Sequence, residues 1–416
     1  MDFPEGRKYT CEIMNAPQRR FLDRTTPPHI VTLILIAGLS ALSMNIFLPS
    51  LPKMAEHFNV DYGVMQLSVS LYLGVSAVLQ ILIGPLSDRY GRRKVLLAAI
   101  ALFVLASIGT LLAPTAEMFL LFRMGQAVVA TAMALSRAVV RDMVDEAQAA
   151  SMLGYVTMGM AMVPMVGPVI GGFLDEVAGW QANFVVLLIA GVAIMALSWA
   201  DLGETARTRP TSMMAQMRDY PELFASPRFW GYCLSSSFAS GVFFAFLGGA
   251  PYVGTEIYGL NPTVLGALFG FAALGYGAGN FISGRFSVRM GVNRMILAGA
   301  CITLGGLGLQ AGLLAVGLAP AWVFFSCFAL VGIGNGMVLP NATAGMLSVR
   351  PHLAGTASGL GGAIMIGGGA ALSALAGMLL VPGAGAWPLV AIMVASASAS
   401  LLAILGVIYR ERHIRS

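Results

Sequence analysis

The sequence predicts an all-α membrane protein with twelve transmembrane helices, arranged as two six-helix repeats. Three observations predict this class: 57% of the 416 residues are hydrophobic, only 10% are charged, and long apolar runs alternate with short polar segments. Soluble domains carry about 25% charged residues, and a soluble chain of this length needs them to cover two or three folded domains. Lipid can surround the apolar surface instead. The composition therefore excludes an ordinary cytosolic protein.

Each predicted helix is an apolar run bounded by polar residues. A helix that crosses a bilayer needs about 20 apolar residues, and twelve runs meet this requirement. They lie at 29–49, 64–87, 94–113, 117–140, 151–174, 182–200, 229–250, 262–284, 294–315, 320–347, 354–380 and 386–409. The first run is too long for the core of a signal peptide, so we expect it to remain as the first helix.

The positive charges give the orientation of these helices. If the twelve runs cross the membrane in turn, all but two of the 24 lysine and arginine residues fall on the same side of the membrane. Lysine and arginine are enriched on the cytoplasmic side of membrane proteins, so both termini are predicted to be cytoplasmic. The exceptions are Lys53, on the opposite side, and Arg123, inside the fourth span.

The segment 201–228 is the most polar stretch between helices and divides the chain into two halves. The predicted parts are a tail at 1–28, a bundle at 29–200, a loop at 201–228, a bundle at 229–409 and a tail at 410–416. Repeated halves of this kind are typical of secondary transporters, which bind their substrate near the bilayer midplane between the halves.

A weak internal repeat supports this division. A glycine, Gly91 or Gly291, precedes the third span of each half. The polar residues before these glycines also resemble one another: Ser87 with Arg89, and Ser283 with Arg285. The sequence therefore indicates that the two bundles share one plan.

The loop at 84–94, with the sequence GPLSDRYGRRK, is the most informative segment. Its first glycine allows two helices to approach closely, an aspartate lies at the end of a helix, and three basic residues open the next helix. A simple cytoplasmic loop explains the basic residues but not the spacing of the glycine and the aspartate.

This loop resembles the signature of the major facilitator superfamily, at Gly84, Leu86, Asp88, Arg89, Gly91, Arg92 and Arg93. The resemblance implies a major facilitator fold, in which the loop forms a breakable charge network that latches the halves in the outward-facing state. Asp88 is suited to stabilise a helix N-terminus, and Arg89 or Arg92 can pair with Asp142. The matched residues other than Leu86, together with Asp142, form the predicted conformational lock.

The fifth span resembles the antiporter signature of the same superfamily. Val163 stands where that signature usually has glycine, so the match is partial. The resemblance implies export, although a proline with flanking glycines bends a helix whatever the direction of transport. The matched residues are Gly154, Gly167, Pro168, Gly171 and Gly172.

Three further strings, at 47–52, 137–142 and 351–359, resemble the drug-resistance exporters of the bicyclomycin and chloramphenicol type, often called Bcr/CflA. This resemblance implies a multi-pass protein of the cytoplasmic, or inner, membrane that exports small amphipathic drug-like molecules. It further implies alternating access with the proton gradient as the energy source, and no cofactor. It does not identify the substrate.

Arg123 is the most informative single residue. A guanidinium inside a span is costly in lipid, so it is expected to face a partner or an aqueous cavity, unless it extends to the interface. Arg123 lies about 9 Å and Asn45 about 6 Å below the outer end of their helices, at 1.5 Å per residue. The two side chains can therefore meet, and the resemblance implies a role for this arginine in proton or substrate handling.

The predicted substrate or coupling cavity combines these two residues with amides on other spans. Each amide can instead form a hydrogen bond between helices. The candidate cavity residues are Asn45, Arg123, Gln126, Asn280, Asn335 and Asn341.

Proton coupling is the weakest part of the resemblance. Many of the resembling exporters carry aspartate where this chain has Asn45, and an amide does not titrate. None of the 19 carboxylates falls well inside a predicted span. Coupling then depends on acids at the rim, such as Asp175 or Glu176, or on a protonated substrate, or is absent. The alternative function is an uncoupled facilitator or a transporter of a small metabolite.

Other functional classes lack their required residues. An ATP-driven pump needs a phosphate-binding loop with Lys-Ser or Lys-Thr, but the three lysines precede Tyr9, Met54 and Val95. An intramembrane enzyme needs a nucleophile with a base, or metal ligands, and nucleic-acid binding needs clustered basic residues. We therefore expect no enzymatic activity, metal site or nucleic-acid partner, and a monomer that contacts its small-molecule substrate and the lipid bilayer.

Overall fold

The computed structural model describes residues 21–26, 28–143, 152, 163, 166–205, 221–350 and 353–415. Within these residues the fold is helical throughout, and eleven helices are long and apolar enough to cross a membrane. Burial of long apolar runs in lipid accounts for this architecture, because a helix satisfies its own backbone hydrogen bonds.

We number the helices α1 to α12 by span. Helix α4 has two parts, joined by a 3₁₀ turn at Ala127–Val129. A further 3₁₀ turn at Leu48–Ser50 and a short helix at Leu51–Phe58 follow α1. The bounds are α1 Ile30–Asn45, α2 Tyr62–Tyr90, α3 Arg92–Leu112, α4 Ala116–Gln126 and Ala130–Met143, α5 166–178, α6 Gln181–Asp201, α7 Pro227–Tyr252, α8 Pro262–Met290, α9 Val292–Ala315, α10 Ala321–Val349, α11 Ala354–Leu379 and α12 Trp387–Arg415.

Eleven of the twelve predicted runs correspond to candidate membrane-spanning helices. The exception is the run at 151–174, of which the structure describes residues 152 and 163 and the stretch from 166 onward, where α5 is helical. The twelfth crossing and the side on which the termini lie remain predictions.

We refer to the described residues 21–205 as the N-terminal half and to 221–415 as the C-terminal half. In the first, α3 packs on α4 and α6, and α1 packs on α4 and α6. In the second, α7 packs on α11 and α12, and α10 packs on α8 and α9. Helices α2 and α11 form the main contact between the halves. The domain boundaries predicted from the sequence are not tested by this packing.

Helices α8 and α10 approach so closely that their backbones touch. A Cβ atom added at Gly275 would overlap the backbone of Ala329, and one added at Gly279 would overlap that of Ile333. Glycine is therefore required at these positions, as expected for helix pairs in membranes.

The structure corrects the register of the internal repeat. Helices α2 and α8 have the same length, 29 residues, and begin at Tyr62 and Pro262. Gly91 and Gly291 end them with positive φ angles of 93° and 81°, which glycine adopts readily. Ser287 and Arg289 are therefore the counterparts of Ser87 and Arg89 in the N-terminal half.

The alignment with Ser283 and Arg285 was wrong by about one helical turn. Serine and arginine recur on the same face of α8, so residue types alone did not fix the register. The glycine at the helix end does, because its N–H bonds back to the serine carbonyl: Gly91 to Ser87 at 3.0 Å, and Gly291 to Ser287 at 2.9 Å.

Candidate functional site

Arg123 is buried in the N-terminal half, with 1% of its surface exposed. One terminal nitrogen donates to Ser43 Oγ at 3.1 Å and to Gln126 Oε1 at 2.7 Å, and the other donates to the carbonyl oxygen of Ser43 at 2.7 Å. The guanidinium thus joins α4 to α1 and does not extend to the membrane interface.

Two aromatic rings complete the environment of this guanidinium. Its central carbon lies 4.4 Å from the centre of the Phe47 ring and 4.2 Å from that of the Tyr72 ring, within the range of cation–π attraction. Nε of Arg123 is buried without a hydrogen-bond partner. Among the described residues, every hydrogen-bond partner of Arg123 is neutral, so its charge is compensated by dipoles and rings.

Gln126 extends this arrangement from α4 to α3. Its Nε2 donates to Ser107 Oγ at 2.8 Å, and Ser107 in turn donates to the carbonyl oxygen of Phe103 at 2.8 Å. The helix changes to a 3₁₀ turn directly after Gln126, and such turns inside a helix often mark hinges.

Asn45 is buried but contacts a different part of the bundle. Its Nδ2 donates to the carbonyl oxygen of Ala41 at 2.7 Å, and its Cβ lies against α5 beside Gly167. The residue of α1 that binds Arg123 is Ser43. Two positions along a helix correspond to a rotation of about 200°, so the two side chains point to different neighbours.

The three asparagines of the C-terminal half do not join the Arg123 cluster. Asn341 donates to Ser283 Oγ at 2.7 Å and links α10 to α8, whereas Asn280 donates to the carbonyl oxygen of Tyr276 at 2.8 Å on its own helix. Asn335 is 3% exposed, and its Oδ1 has no partner among the described residues. Asn341 thus forms a hydrogen bond between helices, which is the alternative to a cavity role that the sequence left open for these amides.

Three of the predicted signature residues of α5 lie in close contact with other helices. One of them contacts the N-terminal half, and the other two contact the C-terminal half. A Cβ atom at Gly171 would overlap the carbonyl group of Ile46, and one at Gly172 would overlap that of Pro262. The carbonyl group of Pro168 is in similar contact with Gly266 of α8. Glycine at 171 and 172 therefore lets α5 lie directly on α1 and α8.

The other two signature positions contribute less to this argument. A Cβ atom at Gly167 would make an ordinary contact of 3.5 Å with Leu42, so close packing does not require glycine there. Gly154 lies outside the described residues.

Arg92 is the centre of the predicted lock. Its side chain lies 2.6 Å from Asp88 Oδ1 and 3.1 Å from Asp142 Oδ2, and it also donates to Ser87 Oγ. Arg92 is therefore the partner of Asp142. Arg89 instead lies over the ring of Tyr90, at 5.4 Å.

The start of α3 is also held by the end of α6. Arg93 donates to the carbonyl oxygens of Leu202, at 2.7 Å, and Trp199, at 3.0 Å. The backbone N–H of Arg92 donates to Glu204 Oε1 at 2.8 Å, and the same carboxylate packs against Gly91. Glu204 was not predicted from the sequence, where it is the second carboxylate after the sixth run, following Asp201.

The lock, as described, lies within the N-terminal half. The ion pairs of Arg92 with Asp88 and Asp142, and the hydrogen bonds that Arg93 and Glu204 form at the start of α3, are all with residues of this half. Among the described residues a Cβ atom at Gly84 would meet nothing within 4 Å, so this glycine makes no close helix contact with them in the present conformation.

Three hydrogen bonds join the halves among the described residues, and all lie at the end of the bundle opposite the lock, near the starts of α2 and α8. Tyr62 donates to the carbonyl oxygen of Gly248 at 2.5 Å, Gln66 donates to Ser373 Oγ at 2.7 Å, and the N–H of Thr263 donates to Glu176 Oε1 at 3.4 Å. We call this set the inter-half contact. Neither Tyr62 nor Gln66 was predicted from the sequence.

Comparison with known proteins agrees with this architecture. The Major Facilitator Superfamily model matches residues 33–374. A chloramphenicol resistance protein of Pseudomonas aeruginosa is 31% identical over 85% of this chain and 84% of its own length. Multidrug resistance protein D of Escherichia coli is 28% identical over 86% of this chain and 90% of its own length.

A solved structure has the same fold. It is a bacterial homologue of the human lysosomal transporter Spinster in an inward-facing, occupied conformation, with a TM-score of 0.69 and 17% sequence identity. The alignment covers 92% of this chain and 96% of that chain.

Proposed function

Because this chain belongs to the major facilitator superfamily of membrane transporters, we propose that it exports small amphipathic drug-like molecules across the cytoplasmic membrane. One observation carries the proposal: relatives named for chloramphenicol and multidrug resistance match more than four fifths of the chain. The family consists of transporters, and no catalytic activity is indicated. We propose a monomer that needs no cofactor.

We further propose twelve crossings with both termini in the cytoplasm. The distribution of lysine and arginine supports this orientation, because the lock and the turn at Gly291 then face the cytoplasm. The end of α2 that carries Tyr62 and Gln66 faces outward in this arrangement.

The proposed transport cycle is alternating access. With this orientation, the inter-half contact closes the outer side, which corresponds to an inward-facing state. Arg92, at the centre of the lock, pairs with Asp88 and Asp142 of its own half, and we infer that the lock latches the two halves together only when the protein faces outward. The transport cavity would then lie between the halves, beside Arg123 and Gln126 on one side and Asn280, Asn335 and Asn341 on the other.

Proton exchange is the proposed energy source, with acids at the outer rim as the candidate groups. Asp175 is 2% exposed and lies 3.1 Å from Lys53. The neutral side chain at Asn45 and the neutral partners of Arg123 favour the second candidate function, an uncoupled facilitator.

A vesicle assay tests both candidates. Inverted membrane vesicles that contain the full chain receive an imposed pH gradient, acidic inside, and the uptake of labelled chloramphenicol is measured. We expect uptake above the outside concentration, which a proton ionophore abolishes. Uptake that only equilibrates would favour the facilitator. Uptake no faster than in vesicles without the protein, repeated for other drug classes, would contradict drug transport.

A further inference from the structure

Besides the start of α2, the N-terminal half meets the C-terminal half on the proposed outer side through two surfaces. The first is the 3₁₀ turn at Leu48–Ser50, which packs on α7 and α8, together with the helix Leu51–Phe58, which packs on α7. The second is the outer end of α5, where Gly172 lies against α8 and Glu176 accepts a hydrogen bond from the N–H of Thr263. The two surfaces are far apart in the sequence, so other contacts have to hold them together.

Asn183 of α6 joins these two surfaces. It is fully buried, and its Nδ2 donates to Ser50 Oγ at 3.1 Å and to the carbonyl oxygen of Gly171 at 3.3 Å. Ser50 belongs to the turn after α1, and Gly171 belongs to α5. Because a buried amide without partners is costly, these hydrogen bonds favour one arrangement of the turn and α5.

An ion pair makes a second connection between the same surfaces. Asp175 lies one turn beyond Gly171 on α5, and its side chain is 0% exposed. Lys53, from the helix Leu51–Phe58, lies 3.1 Å from Asp175 Oδ2 and is the one cation within ion-pair distance of this carboxylate among the described residues. Without Lys53, a buried carboxylate would lack a compensating charge, which is costly inside a protein.

We propose that these contacts position the two surfaces so that both meet the C-terminal half at once. We call them the outer joint, formed by Lys53, Asp175 and Asn183 with Ser50 and Gly171. Its place on the outer side of an inward-facing protein rests on the proposed orientation and transport cycle. Lys53, Asp175 and Asn183 are then positioning residues, which act through the turn and α5. If the joint is broken, either surface can leave the C-terminal half without the other, and the outer side opens more often.

Opening of the outer side can be measured with one reporter cysteine in the full-length protein. Ser373→Cys is introduced after the native cysteines are replaced by serine, because Ser373 is fully buried at the inter-half contact. A membrane-impermeant thiol reagent is added outside intact cells, and the labelling rate of this cysteine is followed. Labelling from this side requires the inter-half contact to open. Drug uptake by the same reporter protein is measured in inverted vesicles.

The ion pair is tested with two variants of the reporter protein and their combination. Lys53→Gln should raise the labelling rate about fivefold, less than for a fully buried pair, because 47% of the Lys53 side chain is exposed. Asp175→Asn removes the buried charge itself, so we expect a rise of about twofold or less. The double variant should label at about the rate of Asp175→Asn alone, because the two residues act through one ion pair. Independent, additive effects would contradict this assignment.

The bridging amide is tested separately. Asn183→Ala removes both hydrogen bonds, to Ser50 and to Gly171, and should raise the labelling rate about fivefold. The control is Glu56→Gln, which changes an exposed charge on the same short helix as Lys53 and should label at the rate of the reporter protein. Thermal unfolding in detergent is recorded for every variant.

Two separate readouts distinguish the joint from the proposed drug transport. If the reporter protein takes up no drug of any class, drug transport is contradicted, and the labelling rates still decide the joint. If it takes up drug but Lys53→Gln and Asn183→Ala label at its own rate, transport stands and the joint is overturned. A loss of thermal stability without faster labelling would assign these residues to folding alone and would also overturn the proposal.

Discussion

The turns after α2 and after α8 have similar backbone conformations but carry different side chains. Each ends a 29-residue helix at a glycine with positive φ. In the first turn Asp88 and Arg92 form an ion pair at 2.6 Å. Val288 and Val292 occupy the equivalent positions in the second turn. The two halves thus share the backbone conformation of the turn. The charged residues of the predicted lock occur only in the turn of the N-terminal half.

The last helix of each half supplies an acid that ties this end of the bundle together. Asp201 of α6 accepts hydrogen bonds from the N–H of Leu22 at 2.8 Å, the N–H of His29 at 2.9 Å and the hydroxyl of Thr32 at 2.6 Å. Glu411 of α12 binds the starts of α7 and α9. The N-terminal half uses a second acid, Glu204, to bind the start of α3.

The largest effect is expected from the buried arginine of the N-terminal half. This prediction tests whether transport depends more on the charged residues of that half than on those of the C-terminal half. Arg123→Ala removes the three hydrogen bonds to Ser43 and Gln126, and we expect drug flux to fall to the level of vesicles without the protein. Arg289→Ala, an exposed arginine of the other half, should retain normal flux. Size-exclusion chromatography confirms that both variants insert and fold. Near-normal flux in Arg123→Ala would remove this residue from the mechanism.

A smaller effect is expected from the lock itself. Asp88→Asn removes the charge that faces Arg92, so exchange between the two states should slow several-fold while equilibrium drug binding stays within about twofold. Val288→Asn places the same residue at the equivalent position of the other turn, where valine cannot form an ion pair, and should leave the exchange rate unaltered. Transport rates and equilibrium binding are measured on the same preparations. A defect in binding alone would contradict the lock.

The smallest expected effect is the difference in stability between two variants, Gly91→Ala and Gly291→Ala. Alanine at either position is strained by the combination of positive φ and extended ψ, at about 1–3 kcal/mol. Gly91→Ala also forces the Glu204 carboxylate to move, whereas a Cβ atom at Gly291 would meet nothing within 4 Å in the part of the chain that the structure describes. Thermal unfolding in detergent should therefore show a larger loss of stability for Gly91→Ala, by about 1 kcal/mol. Equal losses would mean that Glu204 contributes nothing to this turn.

The sequence predicted the features that depend on hydrophobicity and on rare charges. Apolar runs located the helices, because lipid imposes their length and composition. Arg123 was identifiable because a charge inside an apolar run is unusual, and Asp142 because it follows such a run. These signals do not depend on how the helices are rotated against one another.

Features that depend on helix rotation were not predictable. Helix α1 is apolar on most faces, so nothing in its pattern showed that Ser43, and not Asn45, faces Arg123. Tyr62 and Gln66 are neutral residues at the start of a helix, and their importance appears only when α7 and α11 are placed beside them. The register of the repeat likewise became clear only from the positions of the glycine caps.

The most direct test of alternating access is to prevent the inter-half contact from opening. Gln66→Cys and Ser373→Cys are introduced together, after the native cysteines are replaced by serine, because these two side chains meet at 2.7 Å across the halves. A short thiol-specific cross-linker is then added, and drug flux is measured before and after its reductive cleavage. We predict that cross-linking stops transport and that cleavage restores it, whereas each single-cysteine variant is unaffected. Full transport by the cross-linked protein would contradict the account.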